Sequence, residues 1–263
     1  MHEAKTTAAT PTKAAVTFPN GDLELHGELY VPSGRGPFPA VVYNHGSEKD
    51  PSPYLDQLAA VYVAHGYVFF APFRRGQGGS PGPYIVDQLT QSAQQKPGVA
   101  AQGQLLVDLM KLGLTDQLAG LTYLKTRHEV DKQRIAVEGI SYGGIQTLLA
   151  AESGAQVGYR AAVDCAGDAE SWSSPTNTAM RDTLVEAVQH ATLPILYVQA
   201  QNDYTTEPTT TFAAASKQAN KPFEEMIFPP FGTTTQQGHL FCTAPAEKVW
   251  GTLVFAFLKK NLK

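Results

Sequence analysis

At 263 residues, 43% hydrophobic and 17% charged, the sequence describes an ordinary globular chain with ample core, in one large α/β domain rather than two small ones. A formal net charge of −4 without any Lys/Arg block excludes nucleic acid as the main partner, and no run of about 18 apolar residues is present to span a membrane. Two cysteines, Cys165 and Cys242, cannot build a disulfide scaffold and lack zinc spacing; they read as two small buried hydrophobes in preference to a bridge.

Residues 1–14 are Ala/Thr/Lys-rich, without periodicity or an apolar signal core, and predict a disordered tail ahead of a single domain over residues 15–263. This start fits equally a cytoplasmic chain and an exported one whose signal a start Met has replaced. Val16–Phe18 and Leu23–Val31 read as two strands of a hairpin turned by Pro19-Asn20-Gly21-Asp22. Ala40–Tyr43 is a continuous apolar strand, Tyr54–His65 a helix stopped by Gly66, and Tyr67–Ala71 another buried strand: a parallel crossover. The Gly-rich loop Pro72–Ser80 lacks the pattern of a phosphate cradle. Residues 81–103 predict an excursion beside the site mouth.

Gln104–His128 reads as a long helix whose apolar stripe is Leu105, Leu109, Leu112, Leu118, Leu121 and Leu124, weakened at Gly113 and Gly120. Residues 130–133 turn the chain into a strand ending at Ile140. Gly158–Gly167 holds the next strand, and residues 168–190 fit no strand–helix alternation and predict a small lid. Pro194–Ala200 is a strand, Glu207–Asn220 a helix, Phe223–Phe228 the last strand, Pro229–Leu240 a polar loop and Ala244–Leu262 a closing helix. The alternation predicts an α/β fold with a mostly parallel sheet of about eight strands flanked by helices.

The chemistry centres on Gly139-Ile140-Ser141-Tyr142-Gly143, a G-x-S-x-G pattern between a β-branched strand and the helix-compatible run Ile145–Ala151. A tight strand-to-helix turn there strains the central residue and presents its hydroxyl above the sheet end. Acyl transfer needs a nucleophile, a base, a group that orients the base, and oxyanion donors. Strand ends supply Ser141, Asp203 and His239, in the Ser…Asp…His chain order. Asp164, ending a neighbouring strand, is the rival acid. His45, also at a strand end, is the rival base.

With Tyr43-Asn44-His45-Gly46-Ser47, the Arg75-Gly76-x-Gly78-x-Ser80 loop, Val130-Asp131-x-x-Arg134-Ile135, the Ser141 turn, Asp203 and Gly238-His239, the chain resembles the α/β-hydrolases. The likeness is to the dienelactone hydrolase-like branch bordering the prolyl-oligopeptidase-type serine peptidases, and it covers roughly residues 16–262. The dienelactone hydrolases proper carry Cys where this chain has Ser141, so lactone specificity is not implied.

The resemblance implies Ser141 as nucleophile, His239 as base, Asp203 as its orienting acid, and the Tyr142 and Ser47 backbone N–H groups as oxyanion donors. It implies a serine carboxylesterase acting on small to medium ester substrates, with a peptidase or amidase using the same triad as the alternative. No cofactor or metal is implied. Trp172 and Tyr84 are candidate walls of an acyl or alcohol pocket, against plain packing. Arg74 and Arg75 are read as loop supports paired to acids, against carboxylate binding. Activity is expected to fall below about pH 6–7 as the base becomes protonated.

Overall fold

The computed structural model describes residues 12–263. Strands β1 (Thr12–Asn20) and β2 (Leu23–Val31) pair antiparallel around Gly21, whose φ of 59° suits a residue without a Cβ. Thr12–Ala14, expected in a tail, are strand residues paired with Val31, Tyr30 and Leu29; the remainder of that expectation lies outside the described residues. The sheet continues through β3 (Phe38–Asn44), β4 (Val68–Pro72), β5 (Val130–Ile140), β6 (Ala161–Cys165), β7 (Ile195–Ala200) and β8 (Phe223–Phe228). Its eight strands run in the order β1-β2-β4-β3-β5-β6-β7-β8, parallel from β4 onward. Residues 130–133, expected as a turn, open β5, with Phe38 opposite Val130 and a register shift before Ala40.

Period-two alternation sends neighbouring side chains into two cores. Val42, Phe70 and Val137 face one layer; Val41, Phe69 and Ala136 face the other. The first layer is built from α3 (Val99–Leu124), α4 (Tyr142–Glu152), α6 (Thr178–Gln189) and α7 (Glu207–Gln218). The second layer is α1 (Ser52–Ala64) and α9 (Glu247–Asn261), where Tyr62, Trp250 and Phe255 form an aromatic cluster. Shorter helices α2 (Ile85–Gln94), α5 (Gly154–Val157) and α8 (Thr235–His239) fill the connections.

Two expectations, on α3 and on residues 168–190, are corrected here. The buried face of α3 is Leu106, Val107, Met110, Gly113, Gln117, Gly120, Leu121 and Leu124, while Leu112 is exposed. Its glycines admit close neighbours: a Cβ on Gly120 would stand 2.6 Å from Pro72 Cβ. Residues 168–190 are not a lid throughout, because α6 buries Met180, Leu184, Ala187 and Val188 in the core and belongs to the helical layer. The expected excursion 81–103 contains α2, which buries none of its residues fully, and the first turn of α3.

Candidate functional site

Parallel strands bring their carboxyl ends, and the loops that follow, to one edge of the sheet. The Ser141 turn comes from β5. Ser141 has φ 56° and ψ −120°, a sparsely populated conformation for a residue with a side chain. Its neighbours explain why the turn requires glycine. A Cβ on Gly143 would stand 1.8 Å from the Asn44 carbonyl oxygen, and one on Gly139 2.2 Å from that of Gly143. The Ser141 N–H donates to Cys165 O at 3.0 Å and its carbonyl accepts from Ile145 N–H at 3.1 Å, so the bend is pinned on both sides.

Asp203 follows β7 and His239 ends α8, and the two meet. His239 Nδ1 lies 2.8 Å from Asp203 Oδ1. Both are nearly sealed from solvent, with relative exposures of 3% and 7%. Gln199 Nε2 donates to Asp203 Oδ2 at 2.7 Å, and Thr209 Oγ1 donates to Gln199 Oε1 at 2.8 Å, fixing the carboxylate by a buried network. The Tyr204 ring stands edge-on to the imidazole at 5.2 Å. The other imidazole nitrogen, Nε2, is buried with no hydrogen-bond partner among the described residues.

Ser141 and His239 line one cavity of about 280 Å³ together with Gly46, Ser47, Glu48 and Tyr54. A second cavity, also about 280 Å³, is lined by Ser141 with Ser47, Tyr142, Asp168 and Glu170. An imidazole with one nitrogen held by a fixed carboxylate and the other unpaired, on a residue that lines a cavity with a hydroxyl, can take and return a proton.

The rival assignments find other partners. Asp164 is buried against Gly144 and Gly167, with Oδ1 unpartnered, and burial pushes its carboxyl up to about 8. His45 is fully buried; burial and then the Arg74 guanidinium hold its imidazole well below the usual range, so it stays neutral. Asp168, at φ 65°, is raised to about 6 by burial although Ser171 and Asn177 donate to it.

Ser47 lines both cavities. The backbone before it is organised by Arg74, which donates to His45 O at 2.9 Å, to Gly46 O, and to Gln77 Oε1 at 2.9 Å. Arg74 therefore supports carbonyls rather than an acid, whereas Arg75 pairs bidentately with Asp116 at 2.6 and 2.9 Å. Neither side chain lines the two cavities at Ser141.

Neither aromatic candidate is among the residues lining the two cavities at Ser141. Trp172 lines neither cavity; its Nε1 donates to Glu207 at 2.9 Å and its ring packs edge-on against Phe212 at 5.7 Å. Tyr84 donates its hydroxyl to the Ser47 carbonyl and so ties itself to the loop that lines both cavities. Cys165 and Cys242 form a disulfide, contrary to the reading as two separate thiols. Sequence reasoning missed Glu48, Tyr54 and Glu170 as cavity walls, since nothing in their spacing marks them. It also missed Gln199, although a polar residue inside the apolar strand Ile195–Ala200 was a usable signal.

A family model described as the prolyl oligopeptidase family matches residues 108–179, which hold the end of α3, the Ser141 turn, α4 and β6. Among solved structures, the acylaminoacyl peptidase of Pyrococcus horikoshii is similar at 19% identity and a TM-score of 0.72, covering 98% of this chain and 42% of its own. The present chain thus spans about two fifths of that peptidase. A dienelactone hydrolase of Anabaena variabilis is similar at 18% identity and a TM-score of 0.65, covering 96% of this chain and 99% of its own. An esterase of Pyrococcus furiosus is similar at 17% identity and a TM-score of 0.68, covering 96% and 92%. The chain thus has the α/β-hydrolase fold shared with these structures, and its segment 108–179, which holds the Ser141 turn, matches the prolyl oligopeptidase family model.

Proposed function

We propose that the protein is a serine carboxylesterase that cleaves small to medium esters through an acyl-enzyme intermediate. One observation carries this reading: His239, held by Asp203 through Nδ1 and unpartnered at Nε2, lines the cavity that Ser141 also lines. His239 Nε2 takes the Ser141 proton as Oγ attacks the ester carbonyl. Asp203 holds Nδ1–H and stabilises the imidazolium. The Tyr142 and Ser47 N–H groups take the oxyanion; losing one such donor typically costs about 3–4 kcal/mol of transition-state stabilisation. The imidazolium returns its proton to the leaving alcohol, and water then repeats the sequence on the acyl-enzyme. The two cavities flanking Ser141 supply room for an acyl arm and an alcohol arm.

The family match and the likeness to an acylaminoacyl peptidase favour a second reading, amide cleavage by the same residues. Fluorophosphonate labelling, abolished in Ser141→Ala, tests the nucleophile. Turnover of para-nitrophenyl acetate against an aminoacyl anilide separates the two readings; faster anilide turnover would replace the first by the second. A wild-type protein that neither labels nor turns over either substrate overturns both.

A further inference from the structure

The segment that delivers His239 is short, although a capping box between Thr234 and Gln237 closes its first turn. Residues 232–237 are exposed, and α8 has only five residues, too few to be stable alone. Its position is set by ties to other elements: besides the His239–Asp203 contact and the Tyr204 hydroxyl's bond to Gln236 Oε1 at 2.9 Å, two anchor its ends. Upstream, Asn202, next to Asp203, accepts from Phe231 N–H at 2.8 Å and donates to Phe231 O and Thr234 O, both at 3.0 Å. That tie joins the His239 segment to the turn holding Asp203. Downstream, Cys242 is bonded to Cys165, the last residue of β6, across 77 positions of sequence. Cys165 is paired with Ile140 in the sheet, and its carbonyl accepts the Ser141 N–H at 3.0 Å. The covalent tie therefore ends on the residue that pins the Ser141 bend.

Both cysteines are buried, at 1% and 3% exposure, beside Phe241 in the second core.

We propose that the Cys165–Cys242 disulfide is a positioning element of the active site, fixing the His239 segment to the strand end that holds Ser141. This rests on the Ser141–His239 reading above. Asn202 and the disulfide divide the work: the first sets His239 against Asp203, the second sets it against Ser141. Loss of the bridge then misplaces the base relative to the nucleophile while leaving both cavities in place.

The test compares wild type with the Cys165→Ala/Cys242→Ala double variant, and with Phe18→Leu as a control destabilised in the hairpin, far from the site. Hydrolysis of para-nitrophenyl acetate is measured well below each melting temperature. The expected result for the double variant is a fall in kcat of at least tenfold with KM within twofold, and a matching fall in fluorophosphonate labelling rate. Phe18→Leu should lose melting temperature but keep kcat. If the double variant does not fold, wild type is titrated with dithiothreitol at constant near-ultraviolet circular dichroism. The reagent gives up two electrons and two protons, becoming its cyclic disulfide while each cysteine gains S–H, and activity should fall in step with free thiols and return on reoxidation. Unchanged kcat in the folded double variant, or full activity in the reduced native protein, overturns the proposal. Hydrolysis that survives Ser141→Ala would instead overturn the reading on which it rests.

Discussion

His239 Nδ1 and Asp203 Oδ1 stand 2.8 Å apart, and the same carboxylate oxygen accepts the Tyr204 N–H at 2.6 Å. The acid is thus fixed by backbone as well as by Gln199, and it dictates which imidazole nitrogen carries the proton. Asp203→Asn keeps the shape but offers an amide that can present N–H to the ring and favour the wrong tautomer. We expect kcat for ester hydrolysis to drop about 10³–10⁴-fold with little change in melting temperature. Steady-state kinetics beside thermal unfolding check this; a drop below tenfold would remove Asp203 from the mechanism.

Arg74 is buried and spends its donors on the His45 and Gly46 carbonyls and on Gln77. A lysine delivers one point charge and cannot span these acceptors. Arg74→Lys is expected to cost about 1–3 kcal/mol of stability, from buried acceptors left unpaired. It should also lower kcat by about tenfold through a slackened Ser47 loop. Chemical denaturation and ester kinetics on the same preparation read both effects.

Glu138 lies on β5 with its side chain among Tyr62 and the second core, and Tyr62 donates its hydroxyl to it. Burial raises its carboxyl to about 8. A raised acid binds its proton in the folded chain at pH values where the unfolded chain has released it. Stability is therefore highest below the unfolded value of about 4.3 and declines as pH climbs toward 8, by up to about 1.4 kcal/mol per pH unit. Glu138→Gln removes this group, so its melting temperature relative to wild type should improve between pH 5 and pH 8. Parallel melting curves across that range would refute the shift.

Trp172 donates to Glu207 and packs on Phe212, away from both cavities at Ser141. Trp172→Phe should lose about 1 kcal/mol of stability with the hydrogen bond and leave KM for small esters unchanged. A KM change beyond threefold would return this residue to the substrate pocket.

The Ser141 turn was legible in the sequence because backbone crowding permits only glycine at 139 and 143, and such constraints leave a mark in five consecutive letters. The proximity of Asp203 and His239 could be anticipated because one follows β7 and the other the loop after β8, two neighbouring parallel strands. The disulfide was not, since a separation of 77 positions says nothing about which strand ends adjoin. The packed face of α3 was missed because glycines, where Arg74 and Pro72 approach closely, carry no hydrophobic signal. Residues 168–190 were misread because α6 is a half-polar helix whose buried positions become evident only once α3, α4 and α7 surround it. Trp172 and Tyr84 stayed open between pocket wall and packing for a related reason: an aromatic side chain near a cleft is identical in sequence whether it faces the cleft or braces it.

The left-handed backbone at Ser141 settles an address before it settles a chemistry. Main-chain geometry, rather than a side-chain network, determines where the first atom beyond Cβ can sit. A thiol placed there would inherit the same post, with only its acidity and bond length to accommodate. Nucleophile identity at such a bend is thus open to exchange by a single codon, while the bend itself tolerates no comparable substitution.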